Sequence, residues 1–203
     1  MTETSTRKFA RSRNLSPMLQ GDVDNNPPDI GFGALIAEDF RTHDRELCPG
    51  FFAVAVHRFG NWRMGIQPKL LRAPFSILYK IAYGFVAYAL GIELPYNTVL
   101  GRRPRIWHHG GIFIGARSIG DDVHLRHNVT IGVLHRGEDD AKPVIGNRVD
   151  IGCGAVIAGA ISVGDDVEIG ANSVVVRNIA ADATVFGVPA RPVKMVKSRA
   201  EES

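Results

Sequence analysis

The sequence predicts a mainly β chain, a parallel β-helix of hexapeptide repeats preceded by an α-helical domain. Two observations carry this reading. From Leu100 to about Val196 an aliphatic residue returns every six positions, usually with Gly beside it. Ahead of that region, apolar residues recur instead at helical spacing.

Residues 1–32 read as a flexible polar arm. Arg7, Lys8, Arg11 and Arg13 have no apolar stretch directly after them, as a secretory signal would require, and Asn25-Asn26-Pro27-Pro28 breaks regular structure. Residues 33–95 form the expected helical domain. Helical spacing runs from Ala34 to His43 and from Pro49 to Arg63, where Phe51, Phe52, Val54, Ala55 and Phe59 crowd one side. The stretch from Ala73 to Leu94 is more apolar and includes Tyr79, Lys80, Tyr83 and Tyr88. It approaches the roughly 20 apolar residues that span a bilayer. Lys80, Gly84 and Gly91 weigh against a span, so a helix buried against neighbouring helices or subunits is the expectation, with membrane contact the alternative.

Residues 96–196 form the expected β-helix, and 197–203 a short tail. The repeat reads Ile119-Gly-Asp-Asp-Val-His, Leu125-Arg-His-Asn-Val-Thr, then Ile145-Gly-Asn-Arg-Val-Asp, Ile151-Gly-Cys-Gly-Ala-Val, Ile157-Ala-Gly-Ala-Ile-Ser and Val163-Gly-Asp-Asp-Val-Glu. Three hexads make the three flat sides of one coil, and each aliphatic position stacks on its counterpart one coil above. Gly, Asn and Asp suit the corners, where positive φ is cheap for Gly and tolerated by the other two. A β-sandwich would give strands bounded by variable loops rather than so strict a period.

Composition limits the function classes. Of 203 residues, 45% are hydrophobic and 22% charged, which suits an ordinary soluble protein with a real core. Lys and Arg total 24 against 21 acidic residues, and the net charge of +3 gives no argument for nucleic acid. Cys48 and Cys153 are the two cysteines, far apart and outside any CxxC or Cys/His spacing. Neither a disulfide framework nor a zinc site is indicated, and a reducing cytoplasm is the expected setting.

The chemistry is expected where the repeat fails. A polar excursion, 133–144, leaves the prism between Gly132 and Ile145 and is long enough to cover a site. Before it, Arg105-Ile-Trp-His-His-Gly-Gly-Ile places two adjacent histidines on a coil surface, with Gly110 and Gly111 clearing space beside them. Imidazole titrates near neutrality, so such a pair suits a general base. Cys153, in a corner-like Gly-Cys-Gly, reads as structural.

Gly91-Ile-Glu-Leu-Pro, Leu100-Gly-Arg-Arg, His108-His109-Gly, Gly120-Asp-Asp-Val, Val129-Thr-Ile-Gly and Phe186-Gly-Val-Pro-Ala-Arg together resemble the serine acetyltransferase family of hexapeptide acyltransferases. Glu38-Asp39-Phe-Arg and Ala53-Val-Ala-Val-His-Arg-Phe look like the helical domain of its exopolysaccharide, colanic-acid-type branch. The resemblance implies a left-handed β-helix, a homotrimer or dimer of trimers, and active sites between prisms. It also implies acetyl-CoA as co-substrate, no metal, and direct acetyl transfer to a hydroxyl of L-serine or a related small acceptor. Counting forward from Gly101 puts the family's catalytic histidine on His108 and its orienting carboxylate on Glu93, in place of the usual Asp. Counting back from Gly120 falls one residue short, which keeps His109 as a second candidate. Acetyl-CoA would lie in the groove between prisms, its phosphates drawn to Arg191 and Lys194.

The departures concern the acceptor. The family has an Asp just before the catalytic histidine and an Arg-His pair near the end of the loop, both contacting the amino acid. This chain has Trp107 at the first place and Ala141-Lys142 at the second. Lys142 still offers a partner for a carboxylate. Trp107 offers an aromatic face on which a sugar ring can lie, so a sugar or nucleotide-sugar hydroxyl is the alternative acceptor, and transfer to a sugar amine a further one. A metal-binding or non-catalytic β-helix is the reading from a different class. It would draw on His124, His127 and His135, but in a flat coil positions three apart point to different sides.

Overall fold

The structure is a computed structural model and describes residues 23–135, 137 and 140–193. The basic residues of the arm, Lys194 and the 197–203 tail lie outside the described residues.

Three helices come first: α1 (Phe32–Thr42), α2 (Pro49–Trp62) and α3 (Lys69–Ala89). Pro49 opens α2 at a position where its missing N–H costs no helical bond. α2 is the most buried of the three, turning Ala53, Val54, His57, Arg58 and Asn61 inward. α3 packs on it and on the first strand of the prism, burying Tyr79, Val86 and Arg72. Gly60 of α2 admits the Tyr79 ring, since a Cβ there would fall 2.8 Å from Tyr96 Cβ as well.

The rest of the chain winds into a three-sided prism of parallel strands. One face carries β1 (Ile92–Glu93), β4 (Ile112–Ile114), β7 (Thr130–Gly132), β10 (Val156–Ala158) and β13 (Val174–Val175). The second carries β2 (Val99–Leu100), β5 (Ser118–Ile119), β8 (Val144–Ile145) and β11 (Ser162–Val163). The third carries β3 (Arg105–Ile106), β6 (His124–Leu125), β9 (Asp150–Ile151), β12 (Glu168–Ile169), β14 (Thr184–Phe186) and an antiparallel β15 (Arg191–Pro192). This is the left-handed parallel β-helix of the hexapeptide pattern.

The first strand lies earlier than the expected boundary at 96, and α3 begins before Ala73 and stops at Ala89. Gly91 is the reason: its φ of +67° breaks the helix and lets Ile92 pair with Ile112. Of the expected burial of α3 against neighbouring helices or subunits, the single chain supplies one face. Only 17% of its most apolar window is covered, because a single face meets α2.

Inside the prism the hexad positions stack as the repeat requires. Leu100, Ile119, Ile145 and Val163 form one column, and Ile114, Ile131, Ile157 and Val175 another, all essentially buried. Each such side chain contributes about 1.5–3 kcal/mol on burial. The Gly after the aliphatic residue is dictated by coil spacing: a Cβ on Gly120 would sit 2.6 Å from the Gly146 backbone. Corners at Asp122, Asn128, Asp166, Asn172 and Asp182 have positive φ, as expected of Asp and Asn. Arg103 and Arg148 share that conformation, which the sequence reading did not foresee. Each is clamped by two hydrogen bonds of 2.6–2.7 Å to the Asp one coil above, Asp122 and Asp166 respectively.

The helices close the open end of the prism through buried polar contacts. Arg58, fully buried, donates from Nε to Asp39 at 2.9 Å, from Nη1 to the Leu100 carbonyl at 2.8 Å and from Nη2 to the Gly101 carbonyl at 2.6 Å. His57 Nε2–H donates to the Thr98 carbonyl at 2.9 Å. His43 donates from Nδ1 to the Asp39 carbonyl at 2.8 Å and accepts the Ile106 N–H on Nε2 at 3.3 Å. Burial pushes the Asp39 carboxyl upward against the pull of Arg58. Burial likewise lowers His43, and, with Arg58 beside it, brings His57 down to about 3.

Two outcomes follow. Arg58→Ala leaves Asp39 buried without its cation and should cost about 3–5 kcal/mol in urea unfolding. His57 and His43 are held neutral in the folded chain, so below about pH 6.5 the unfolded chain binds protons that the native chain does not. Stability should therefore be fully present above that pH and fall on acidification toward about 3, by about 1.4 kcal/mol per pH unit for His57. Unfolding free energies that stay level from pH 7 to pH 5 would contradict this assignment.

Candidate active site

The double histidine sits on the turn between β3 and β4. Gly110 and Gly111, at φ +101° and +64°, carry the chain round, and a Cβ on Gly111 would overlap the Asn128 side chain of the coil above. His108 and His109 therefore stand on the outer surface, both exposed. The His108 ring meets the edge of His127, with centroids 5.8 Å apart. His127 Nδ1 is buried and has no hydrogen-bond partner among the described residues.

Trp107 precedes them and is 45% exposed. The Arg105 guanidinium carbon lies 3.8 Å from its ring centroid, and the His124 ring meets it edge-on at 5.7 Å. Arg105 is itself anchored in the helical domain, donating to the Thr42 carbonyl at 2.7 Å and pairing with Asp44. Asp44 raises the Arg105 guanidinium, and Arg105 in turn lowers the Asp44 carboxyl.

Glu93 is exposed on β1, in register with Phe113 of β4. It lies near Tyr83, whose phenol is pushed up first by burial and then by the Glu93 charge. Among the described residues, no hydrogen bond joins Glu93 to His108 or His109. Lys142 is half-buried where the excursion returns to the prism, close in sequence to the Asp140 carbonyl that accepts from Arg117 at 2.7 Å. Arg191 is exposed on β15, five strand steps along the third face from β3. At about 4.8 Å per step that is roughly 24 Å from the histidine turn, so a ligand touching both would lie along the prism axis. Cys153 is half-buried and free. Among the described residues no group of three or more His, Cys, Asp or Glu side chains could hold a metal ion. His124 turns to Trp107 and His127 to His108, away from a shared centre.

The structure thus gathers Trp107 and His108 with His127, His124 and Arg105. The sequence reading passed over Arg105 and weighed His127 only as a metal ligand. The available signal was coil spacing: His127 lies as far beyond His108 as Leu125 lies beyond Ile106, its stacked counterpart.

No family model matches the chain. A serine acetyltransferase of Helicobacter pylori is 40% identical over 138 residues, covering 64% of this chain and 81% of that protein. The chain belongs to the serine acetyltransferase family. It is an acyltransferase by that membership. The serine acetyltransferase of Mycobacterium tuberculosis is 36% identical over 146 residues, 71% of this chain, and the chain spans only 61% of that relative's length. WcaB of Escherichia coli, named as a colanic acid biosynthesis acetyltransferase, is 36% identical over 166 residues, covering 79% of this chain and 99% of its own. Among solved structures, soybean serine acetyltransferase complexed with serine superposes with a TM-score of 0.67 at 27% identity, covering 80% of this family member and 69% of the soybean chain.

Proposed function

We propose that this protein is an acetyl-CoA-dependent O-acetyltransferase with His108 as its general base and a sugar or nucleotide-sugar hydroxyl as acceptor. The exposed, glycine-flanked His108 beside Trp107 is the observation that supports this reading best. An alcohol is a weak nucleophile at neutral pH, and imidazole accepts its proton as the oxygen attacks the thioester carbonyl. The C–O bond forms, the C–S bond breaks, and the proton held on His108 passes to the departing CoA sulfur. No covalent enzyme intermediate is needed, so Cys153 has no role in the step. Glu93 is the carboxylate that would orient the ring and stabilise the imidazolium, in a contact formed once substrates are bound. His109 is the second candidate for the base. Acetyl-CoA would run along the groove between the prisms of a homotrimer or dimer of trimers, toward Arg191 and Lys194, in the cytoplasm.

Trp107 favours the sugar. It presents its indole where the family resemblance places an acidic contact to the amino acid, with the Arg105 guanidinium stacked on one face. The near-complete coverage of WcaB, named for colanic acid biosynthesis, supports the same reading. L-serine is the second reading, supported by the serine-bound soybean relative and by Lys142 as a partner for the carboxylate.

His108→Ala should leave the fold intact and lower kcat by about 10²–10⁴-fold in thiol release from acetyl-CoA, whereas His109→Ala should change it little. Full turnover in the His108 variant would move the base to His109. Trp107→Ala should raise KM for a sugar acceptor by roughly 5–30-fold, a loss of about 1–2 kcal/mol of stacking, with acetyl-CoA binding unchanged. Robust acetylation of L-serine alone, unaffected by that variant, would overturn the sugar reading.

A further inference from the structure

α3 carries a second surface with no place in the acetyl-transfer chemistry. Its inward face, with Tyr79, Val86 and Arg72, is buried against the rest of the chain. The opposite face is apolar and open along the whole helix: Leu70 is 84% exposed, Ile81 66% and Phe85 61%, with Leu71, Ile77 and Leu78 between them. On a helical projection these side chains occupy one continuous arc, bordered by Lys69 and Lys80, both exposed. A core helix of a soluble domain would have this face covered, yet only 17% of the window is buried.

The charge around the face decides what it meets. Between Glu46 and Glu93 there is no Asp or Glu, in a chain with 21 acidic residues, and of the cations in that stretch Arg58, Arg63 and Arg72 are buried while Lys69 and Lys80 are exposed. A second copy meeting this face across a two-fold axis would set Lys69 and Lys80 against their own like charges. An anionic bilayer surface supplies both the apolar layer and the negative charge. The burial of Tyr79 and Val86 against the rest of the chain keeps the helix part of the domain, so it would lie in the interface plane and not cross it. We infer that the exposed face of α3 is an in-plane membrane-binding surface for anionic lipid, seating its apolar arc among the acyl chains and Lys69 and Lys80 against the headgroups.

The test is co-sedimentation of the full chain with phosphatidylcholine vesicles, with and without phosphatidylglycerol, alongside solution mass by light scattering. Binding is expected to the phosphatidylglycerol vesicles and to be much weaker to phosphatidylcholine alone. Lys69→Gln with Lys80→Gln should weaken it by roughly 30-fold, about fivefold per cation, without touching the apolar arc. Ile81→Glu with Phe85→Glu should abolish it while solution mass and thiol release from acetyl-CoA stay as in the unaltered protein. Failure of the unaltered chain to bind either vesicle would overturn the inference, as would a fall in solution mass in the Ile81/Phe85 variant, which would make the face a contact between copies. Vesicle binding and thiol release are independent readouts, so either can fail without the other.

Discussion

The contacts that join the two halves of this protein centre on one buried guanidinium, Arg58. A parallel β-helix has an open end, and the first coil presents carbonyls and N–H groups that no coil beneath it can satisfy. Arg58 takes the Leu100 and Gly101 carbonyls, His57 the Thr98 carbonyl, and His43 the Ile106 N–H. The helical domain is thus the cap of the solenoid. Removing the charged member would leave both the prism edge and Asp39 without partners in a dry setting, where unpaired polar groups are most costly. The cap also explains the neutral histidines: a protonated His43 could no longer accept the Ile106 N–H.

The same cap reaches the histidine turn. Arg105 begins the strand that leads to it, and its guanidinium is tied to the Thr42 carbonyl and Asp44 while lying on Trp107. The orientation of the indole therefore depends on how α1 ends. One coil further, the repeat that stacks Leu125 on Ile106 also stacks His127 near His108. The prism also sets the path of the turn, since Gly111 leaves no room for a side chain beside Asn128 of the coil above.

How much of this was legible in the sequence depended on period. The six-residue rhythm specified the inner columns, the corner residues and the glycines, because stacking imposes the same constraint on every coil. It marked the excursion and the double histidine as departures from that rule. Arg103 and Arg148 at corners were not legible: an arginine tolerates positive φ there through the Asp one coil above, a partner that a linear reading does not supply. The start of the prism was misjudged because Ile92-Glu93 is a strand of two residues, too short to show alternation, directly after an apolar helix. Arg105 was missed because its meaning comes from Asp44 and Thr42, on another element.

The apolarity of α3 posed a different difficulty. A run such as Ala73 to Leu94 fits a core helix, a subunit contact or a membrane surface equally well, since each requires an apolar face and the sequence does not say what lies opposite. The fold narrows the choice by showing where the inward face is used. Once Tyr79 and Val86 are committed to the rest of the chain and the polar edge of the domain to the end of the prism, the remaining arc has no intramolecular partner left. The absence of any acidic residue between Glu46 and Glu93, unremarkable in a linear reading, then gains meaning: the two charges that α3 exposes beside that arc, Lys69 and Lys80, are both positive. Capping the prism and leaving one helix face outward are consequences of the same arrangement, because three helices laid across one end of a solenoid cannot bury every side.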